Sequence, residues 1–326
     1  MAAFTAKRRS GLSGAAVLAA LALATAAAPV LARDPLDPSG PGRLVALRDG
    51  RKINFRCVGP AVGPTVIFEA GFANTSTVWA KVQRLMASRR RSCAYDRAGY
   101  GWSDAGPMPR DGEAVARDLD AALSNARIPG PYILVGHSAG GLYVLLFARL
   151  RPRDVVGMVL VDPSVPHQDR RFARLFGPRA GSLAPLVAKA KACEAAARRR
   201  ALPSADPRLI GCGGGPGATA EQRRDSLSPA AWATELSELG TLWGATSDEV
   251  EGTGQSLGQT PVIVLTAGAN GSGLAAAAWA QMHRELAARS SRGSAQLVAG
   301  SSHMIMLDKP QAVVAAIDEV AKAAGR

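Results

Sequence analysis

A serine held between two glycines at the end of an apolar run is equipped for covalent chemistry. In Tyr132-Ile-Leu-Val-Gly136-His137-Ser138-Ala139-Gly140-Gly141, mostly apolar residues lead straight into Gly-x-Ser-x-Gly, and an apolar segment from Leu142 to Leu150 follows. The pattern predicts a buried strand, a sharp turn and a helix, with the Ser138 hydroxyl presented at the strand's carboxyl end. Glycines two residues to either side let strand and helix approach closely around a strained turn. A hydroxyl so placed can act as the nucleophile of acyl transfer when a base stands beside it. The bland alternative is a solvated serine in a glycine-rich turn. The same five-residue pattern recurs at Gly254-Gln-Ser256-Leu-Gly258, but there it follows the polar run Asp248-Glu-Val-Glu-Gly-Thr and precedes a strand, so nothing aims Ser256.

Cysteine is the other reactive side chain, and its reading depends on the compartment. Lys7-Arg8-Arg9 precedes an apolar run from Ala15 to Ala28, and Val30-Leu31-Ala32 suits a cleavage site, so residues 1–32 read as a secretory signal removed after Ala32. An uncleaved anchor is the alternative, and the paired arginines also permit twin-arginine export. Export places the chain in an oxidising compartment, where four cysteines without a Cys-x-x-Cys spacing favour disulfides over metal ligation. Cys57 and Cys93 each lie in an expected strand, whereas Cys193 and Cys212 bracket an irregular stretch, which favours the pairs 57 with 93 and 193 with 212.

Removing the signal takes three positive charges from a net +13, leaving +10. Such an excess could attract nucleic acid or anionic lipid. The basic residues are scattered, with a dense run only at Arg198-Arg199-Arg200 and no interleaved aromatics, so a solvated cationic surface is expected and no nucleic-acid partner. No stable membrane anchor is expected once the signal is gone.

The elements that must position Ser138 follow from periodicity. Residues 33–42 are rich in Pro and Gly and read as a linker. Strands are expected at Leu44 to Leu47 and Ile53 to Val58, joined by the hairpin signal Asp49-Gly50, then at Thr65 to Glu69, Ser92 to Tyr95, Ile133 to Val135 and Val156 to Val161. Helical spacing occupies Ser76 to Ser88, Glu113 to Ala126 and residues 139–150. Between Pro163 and Gln259 no strand is expected, only helical patches near 183–200 and 229–243, so residues 163–259 read as a helical lid inserted after the sixth strand. Alternation resumes with strand Pro261 to Leu265, helix 274–289, strand Ala295 to Val298 and a closing helix from Pro310 to Ala324. The expectation is α/β, a doubly wound, mostly parallel eight-stranded sheet built from residues 43–162 and 260–326, with functional groups beyond the strands' carboxyl ends.

Elbow, element order, lid position and a late histidine together resemble the α/β-hydrolase superfamily over essentially the whole mature chain. Phe68-Glu69-Ala70-Gly71, Ala94-Tyr95-Asp96-Arg97-Ala98-Gly99 and Leu160-Val161-Asp162-Pro163 are similar to its serine esterase and proline-iminopeptidase-like branch. The resemblance implies a triad in the order serine, acid, histidine. His303, in Gly300-Ser-Ser-His303 between last strand and last helix, then takes the place of the general base; His137, inside the elbow and pointing away, His167 and His283 do not. The loop after the penultimate strand, Thr266-Ala-Gly-Ala-Asn270-Gly, has no carboxylate, so the favoured acid is Asp162, with Asp248 or Glu251 in the lid as alternatives and Asn270 last. The same resemblance assigns the oxyanion hole to the backbone N–H groups of Ala139 and Phe72, although Glu69-Ala70-Gly71-Phe72 departs from the His-Gly pair common elsewhere in the superfamily. Asp96, Arg97 and Gly99 resemble a bracing loop.

The expected activity is that of an exported serine hydrolase acting on a small-molecule ester through an acyl-enzyme, without metal or cofactor. An amidase or aminopeptidase is second, and a non-catalytic binding module on the same fold third.

Overall fold

Val66, Ile67 and Phe68 are wholly buried, because their strand lies inside a sheet covered on both faces. The computed structural model describes residues 34–215, 218–252, 254, 256–269 and 273–325, with residues 1–3 and 5 ahead of them. Most of the expected signal segment and Asn270 lie outside the described residues. The chain divides between Arg33 and Asp34, and every strand and helix of the described residues belongs to the second unit.

Its strands are β1 (Arg43–Ala46), β2 (Lys52–Val58), β3 (Thr65–Glu69), β4 (Ser92–Tyr95), β5 (Tyr132–His137), β6 (Val155–Val161), β7 (Val262–Ala267) and β8 (Gly293–Val298). They form one eight-stranded sheet in the order β1-β2-β4-β3-β5-β6-β7-β8. The β1–β2 and β2–β4 pairs are antiparallel and the rest parallel.

Side chains of a strand alternate between faces, and each face has its own core. Ile67 and Leu134 point to the side packed by α2 (Gly112–Ala126), α3 (Gly140–Leu150) and α9 (Leu274–Ala287). Val66, Phe68, Ile133 and Val135 point to the other, packed by α1 (Ala80–Met86), the short α10 (Ile305–Asp308) and α11 (Pro310–Ala323). The expected helix at Ser76 to Ser88 opens as a 3₁₀ turn over Ser76–Trp79. There the Asp96 carboxylate takes the Ser76 N–H at 2.8 Å, and fully buried Trp79 stacks on Phe68 at 4.7 Å.

Between β6 and β7 the described residues contain no strand but five α-helices, α4 (Gln168–Phe176), α5 (Ala184–Arg198), α6 (Ala220–Leu227), α7 (Pro229–Leu242) and α8 (Ala245–Glu251), and one 3₁₀ turn at Pro207–Leu209. Only α5 and α7 fall in the helical patches expected from the sequence. The short, charged α4 carries Phe172, Leu175 and Phe176 at helical spacing, whereas α6 has no apolar stripe and is announced by the capping box of Thr219 with Gln222. The disulfide Cys193–Cys212 ties α5 to the turn beyond it, and Cys57–Cys93 joins β2 to β4, so both expected pairings are present. Residues 34–42, within the expected linker, lie against the sheet: Leu36 is buried, and the Arg56 guanidinium donates to the carbonyls of Pro35, Asp37 and Gly40.

Candidate active site

Ser138 sits on the turn from β5 into α3 with φ of 52°, in the left-handed region that side chains other than glycine rarely adopt. The flanking glycines make the turn possible by their lack of bulk. A Cβ on Gly136 would stand 2.6 Å from the Gly140 carbonyl, and one on Gly140 2.6 Å from that of Ala70. The main chain of Ser138 is held from both directions, its N–H donating to Val161 O at 3.2 Å and its carbonyl accepting from Gly141 N and Ser164 N. Strain of this kind persists only where the surroundings fix it.

Asp162 follows β6 directly and is also left-handed, with φ of 42° and a fully buried side chain. Its N–H donates to Leu265 O at 2.7 Å. One carboxylate oxygen, Oδ1, accepts from the Ala267 N–H and from the indole Nε1 of Trp279, each at 3.0 Å. The other, Oδ2, lies 2.6 Å from His303 Nδ1. A carboxylate that takes these donors leaves the proton on Nδ1 of His303 and the lone pair on Nε2.

The His303 loop is fixed from behind. The backbone carbonyl of His303 is 3.0 Å from His137 Nε2, and the two imidazoles are 4.5 Å apart. A carbonyl only accepts, so Nε2 of His137 carries its proton. Burial, reinforced by the nearby His303, pushes His137 down to about 3, so it stays neutral. Its Nδ1 is buried without a partner and faces Gly71, where a Cβ would come within 2.6 Å of it.

Ser138, Asp162 and His303 all line one cavity of about 610 Å³, whose remaining wall is largely apolar and includes Phe172, Leu239, Trp243 and Trp279. Phe72 and Ala139 line it too, and among the described residues neither backbone N–H donates a hydrogen bond. No hydrogen bond joins the Ser138 hydroxyl to His303 among the described residues; such contacts commonly tighten only in the transition-state complex.

Beneath the Phe72 loop lies a buried ion network. Arg97 pairs with Glu69 and with Glu238 of α7, each at 2.8 Å, and donates to the carbonyls of Ala70 at 2.7 Å and Gly71 at 3.0 Å. Tyr95 bonds the Glu69 carboxylate and Tyr100 that of Glu238. Burial lifts Glu69 to about 7 against the pull of Arg97.

The alternative acids are elsewhere. Asp248 and Glu251 both stand 3.3 Å from His167 Nε2, and neither lines the cavity. Ser256 is exposed, outside any strand or helix, and its hydroxyl accepts from Gly258 N. His283 is buried between Thr266 Oγ1 and the Pro163 carbonyl. No signal in the sequence marks Trp279, Glu238 as a partner of Arg97, or His137 as support of His303. Each acts through a contact with a distant segment, and no local pattern encodes that.

A family model described as alpha/beta hydrolase family matches residues 66–316. Among curated relatives, the uncharacterized protein YqjL of Bacillus subtilis is 33% identical over 103 residues, covering 32% of this chain and 41% of its own length. A bifunctional esterase/perhydrolase of Acinetobacter calcoaceticus is 29% identical over 123 residues, covering 37% of this chain and 44% of its own. The matched parts thus span about two fifths of these relatives. Among solved structures, a thermophilic esterase from Thermogutta terrifontis superposes with a TM-score of 0.59 at 19% identity, over 86% of this chain and 98% of the other, a likeness of fold.

Proposed function

The chain belongs to the alpha/beta hydrolase family, and we propose that within it this protein is an exported serine hydrolase that cleaves a carboxylic ester through an acyl-enzyme intermediate. The observation that carries the reading is the 2.6 Å contact of His303 Nδ1 with Asp162 in the cavity that Ser138 also lines. His303 Nε2 takes the proton as Ser138 Oγ bonds to the ester carbonyl carbon, and Asp162 stabilises the imidazolium. The negative charge forming on the carbonyl oxygen is met by the N–H groups of Phe72 and Ala139. Collapse of the tetrahedral intermediate breaks the bond to the alcohol, which leaves with the proton from His303. Water, deprotonated by the same histidine, then attacks the acyl-enzyme and releases the acid and Ser138.

The cavity wall favours an ester over the N-terminal residue of a peptide. An α-ammonium group needs a carboxylate to receive it, and among the described residues lining the cavity the one carboxylate is Asp162, engaged by His303, Ala267 and Trp279. Residues 163–259 act as the lid, because Phe172, Leu239 and Trp243 from α4, α7 and the turn after it wall the acyl site. Two disulfides suit an oxidising compartment and support export.

The test is a series of p-nitrophenyl esters of rising chain length run beside aminoacyl anilides. Ester turnover should dominate, and Ser138→Ala should abolish it along with fluorophosphonate labelling, whereas Ser256→Ala changes neither by more than about two-fold. Labelling that survives Ser138→Ala, or faster anilide cleavage, overturns the reading. For export, the protein from its native source should begin at Arg33 and expose no alkylatable thiol.

A further inference from the structure

We infer that the segment running through α4 to the middle of α5 docks on the surface of an anionic phospholipid bilayer and turns the mouth of the cavity toward it. Between Asp169 and Glu194 the chain carries six cations, at Arg170, Arg171, Arg174, Arg179, Lys189 and Lys191, and no acid. Arg171 is paired with Glu285, but Arg170, Arg174 and Arg179 have no carboxylate partner among the described residues.

Apolar side chains stand among these charges and face outward. No residue of α4 is buried; Leu175 is 60% exposed, Phe176 39% and Leu186 50%. Glu251 and Glu285 from other helices border the groove beside Arg174 and Leu175, but no acid lies within the segment after Asp169, and contiguous exposed apolar groups mark an interaction surface. A cationic, amphipathic helix with leucine and phenylalanine between its arginines suits an interface where acyl chains accept the apolar groups and phosphates the cations. The aliphatic part of this face has no use for a nucleic acid backbone, which offers charge alone. Phe172, Leu183 and Leu186 of the same segment line the cavity, and Phe176 packs on Phe172 with ring centroids 5.6 Å apart, so the docked face and the cavity mouth are continuous. Among the described residues no helix is long and apolar enough to cross a membrane, so the contact is peripheral.

Flotation of the full chain with vesicles of phosphatidylcholine and phosphatidylglycerol at 7:3, against pure phosphatidylcholine, tests the inference without reference to hydrolysis. Binding should be at least about ten-fold stronger to the anionic vesicles and should weaken several-fold as salt rises from about 0.1 to 0.5 M. Arg174→Glu with Arg179→Glu should remove the dependence on anionic lipid. Leu175→Ser with Phe176→Ser should lower binding about ten-fold while the melting temperature stays within a few degrees, since both side chains are already exposed. Equal binding to both vesicles, or binding that neither pair of substitutions alters, overturns the inference. So does a concentration-dependent dimer that the Leu175 and Phe176 changes dissociate in the absence of any vesicle binding, which would give this face to a second copy of the chain.

Discussion

Trp279 donates its indole Nε1–H to Asp162 Oδ1 at 3.0 Å while its ring walls the cavity, so one side chain of α9 touches both the acid that faces His303 and the space a substrate would fill. Trp279→Phe keeps the ring and removes the donor. A hydrogen bond to a charged group contributes roughly 1.5–3 kcal/mol, so turnover of a short ester should fall by about ten-fold or more with KM within about two-fold. Trp279→Ala should in addition raise KM for long acyl chains. Steady-state kinetics on acetyl and octanoyl esters separate the two effects, and an unchanged turnover in the phenylalanine variant would remove Trp279 from the positioning of Asp162.

Asp162→Asn preserves shape and removes charge. Without the carboxylate the imidazolium is unsupported and the tautomer of His303 is no longer fixed, so turnover should drop by about a thousand-fold or more with little change in substrate binding. Asp248→Asn and Glu251→Gln, whose carboxylates stand by His167, should lower turnover by less than about three-fold. The reverse ranking would move the acid into the segment between β6 and β7.

The sheet is legible in the sequence because its strands are short apolar runs punctuated by turns, and the elbow because glycines must flank a turn at φ of 52°. His303 and Asp162 can be placed at strand ends, yet their contact spans 141 residues and exists only once β6, β7 and β8 lie side by side. Side chains on α7 and α9 are illegible for a related reason. Helical periodicity says which face is apolar, not that Glu238 on one will meet Arg97 or that Trp279 on the other will meet Asp162.

Glu221 of α6 is buried with neither carboxylate oxygen hydrogen-bonded to a donor. Burial first, then Asp96 and Asp225, lift it from the ordinary 4.5 to about 9, with Arg56 pulling the other way. The folded chain therefore holds a proton that the unfolded chain gives up above about 4.5, and this group's contribution to stability falls as pH rises toward about 9. Glu221→Gln mimics the protonated form. Its melting temperature should lie close to the native chain's at pH 5 and pull ahead by several degrees at pH 9, as followed by circular dichroism; parallel melting temperatures across that range would contradict a buried neutral Glu221.

Arg97 links α7 to the Phe72 loop. It grips the carbonyls of Ala70 and Gly71, the two residues before Phe72, and its own orientation is set by Glu69 on one side and Glu238 of α7 on the other. Glu238→Gln removes one of two anions around a buried guanidinium, so the melting temperature should fall. If Arg97 also aligns the Phe72 N–H with the developing oxyanion, turnover should drop by about ten-fold or more while KM for a short ester holds, because an oxyanion donor acts in the transition state and not in the ground state. Glu238→Asp, which restores the charge at a shorter reach, should recover more turnover than stability. A loss confined to stability, with normal turnover in the folded fraction below the melting transition, would make the network a brace for the fold and leave the Phe72 loop to hold its own geometry.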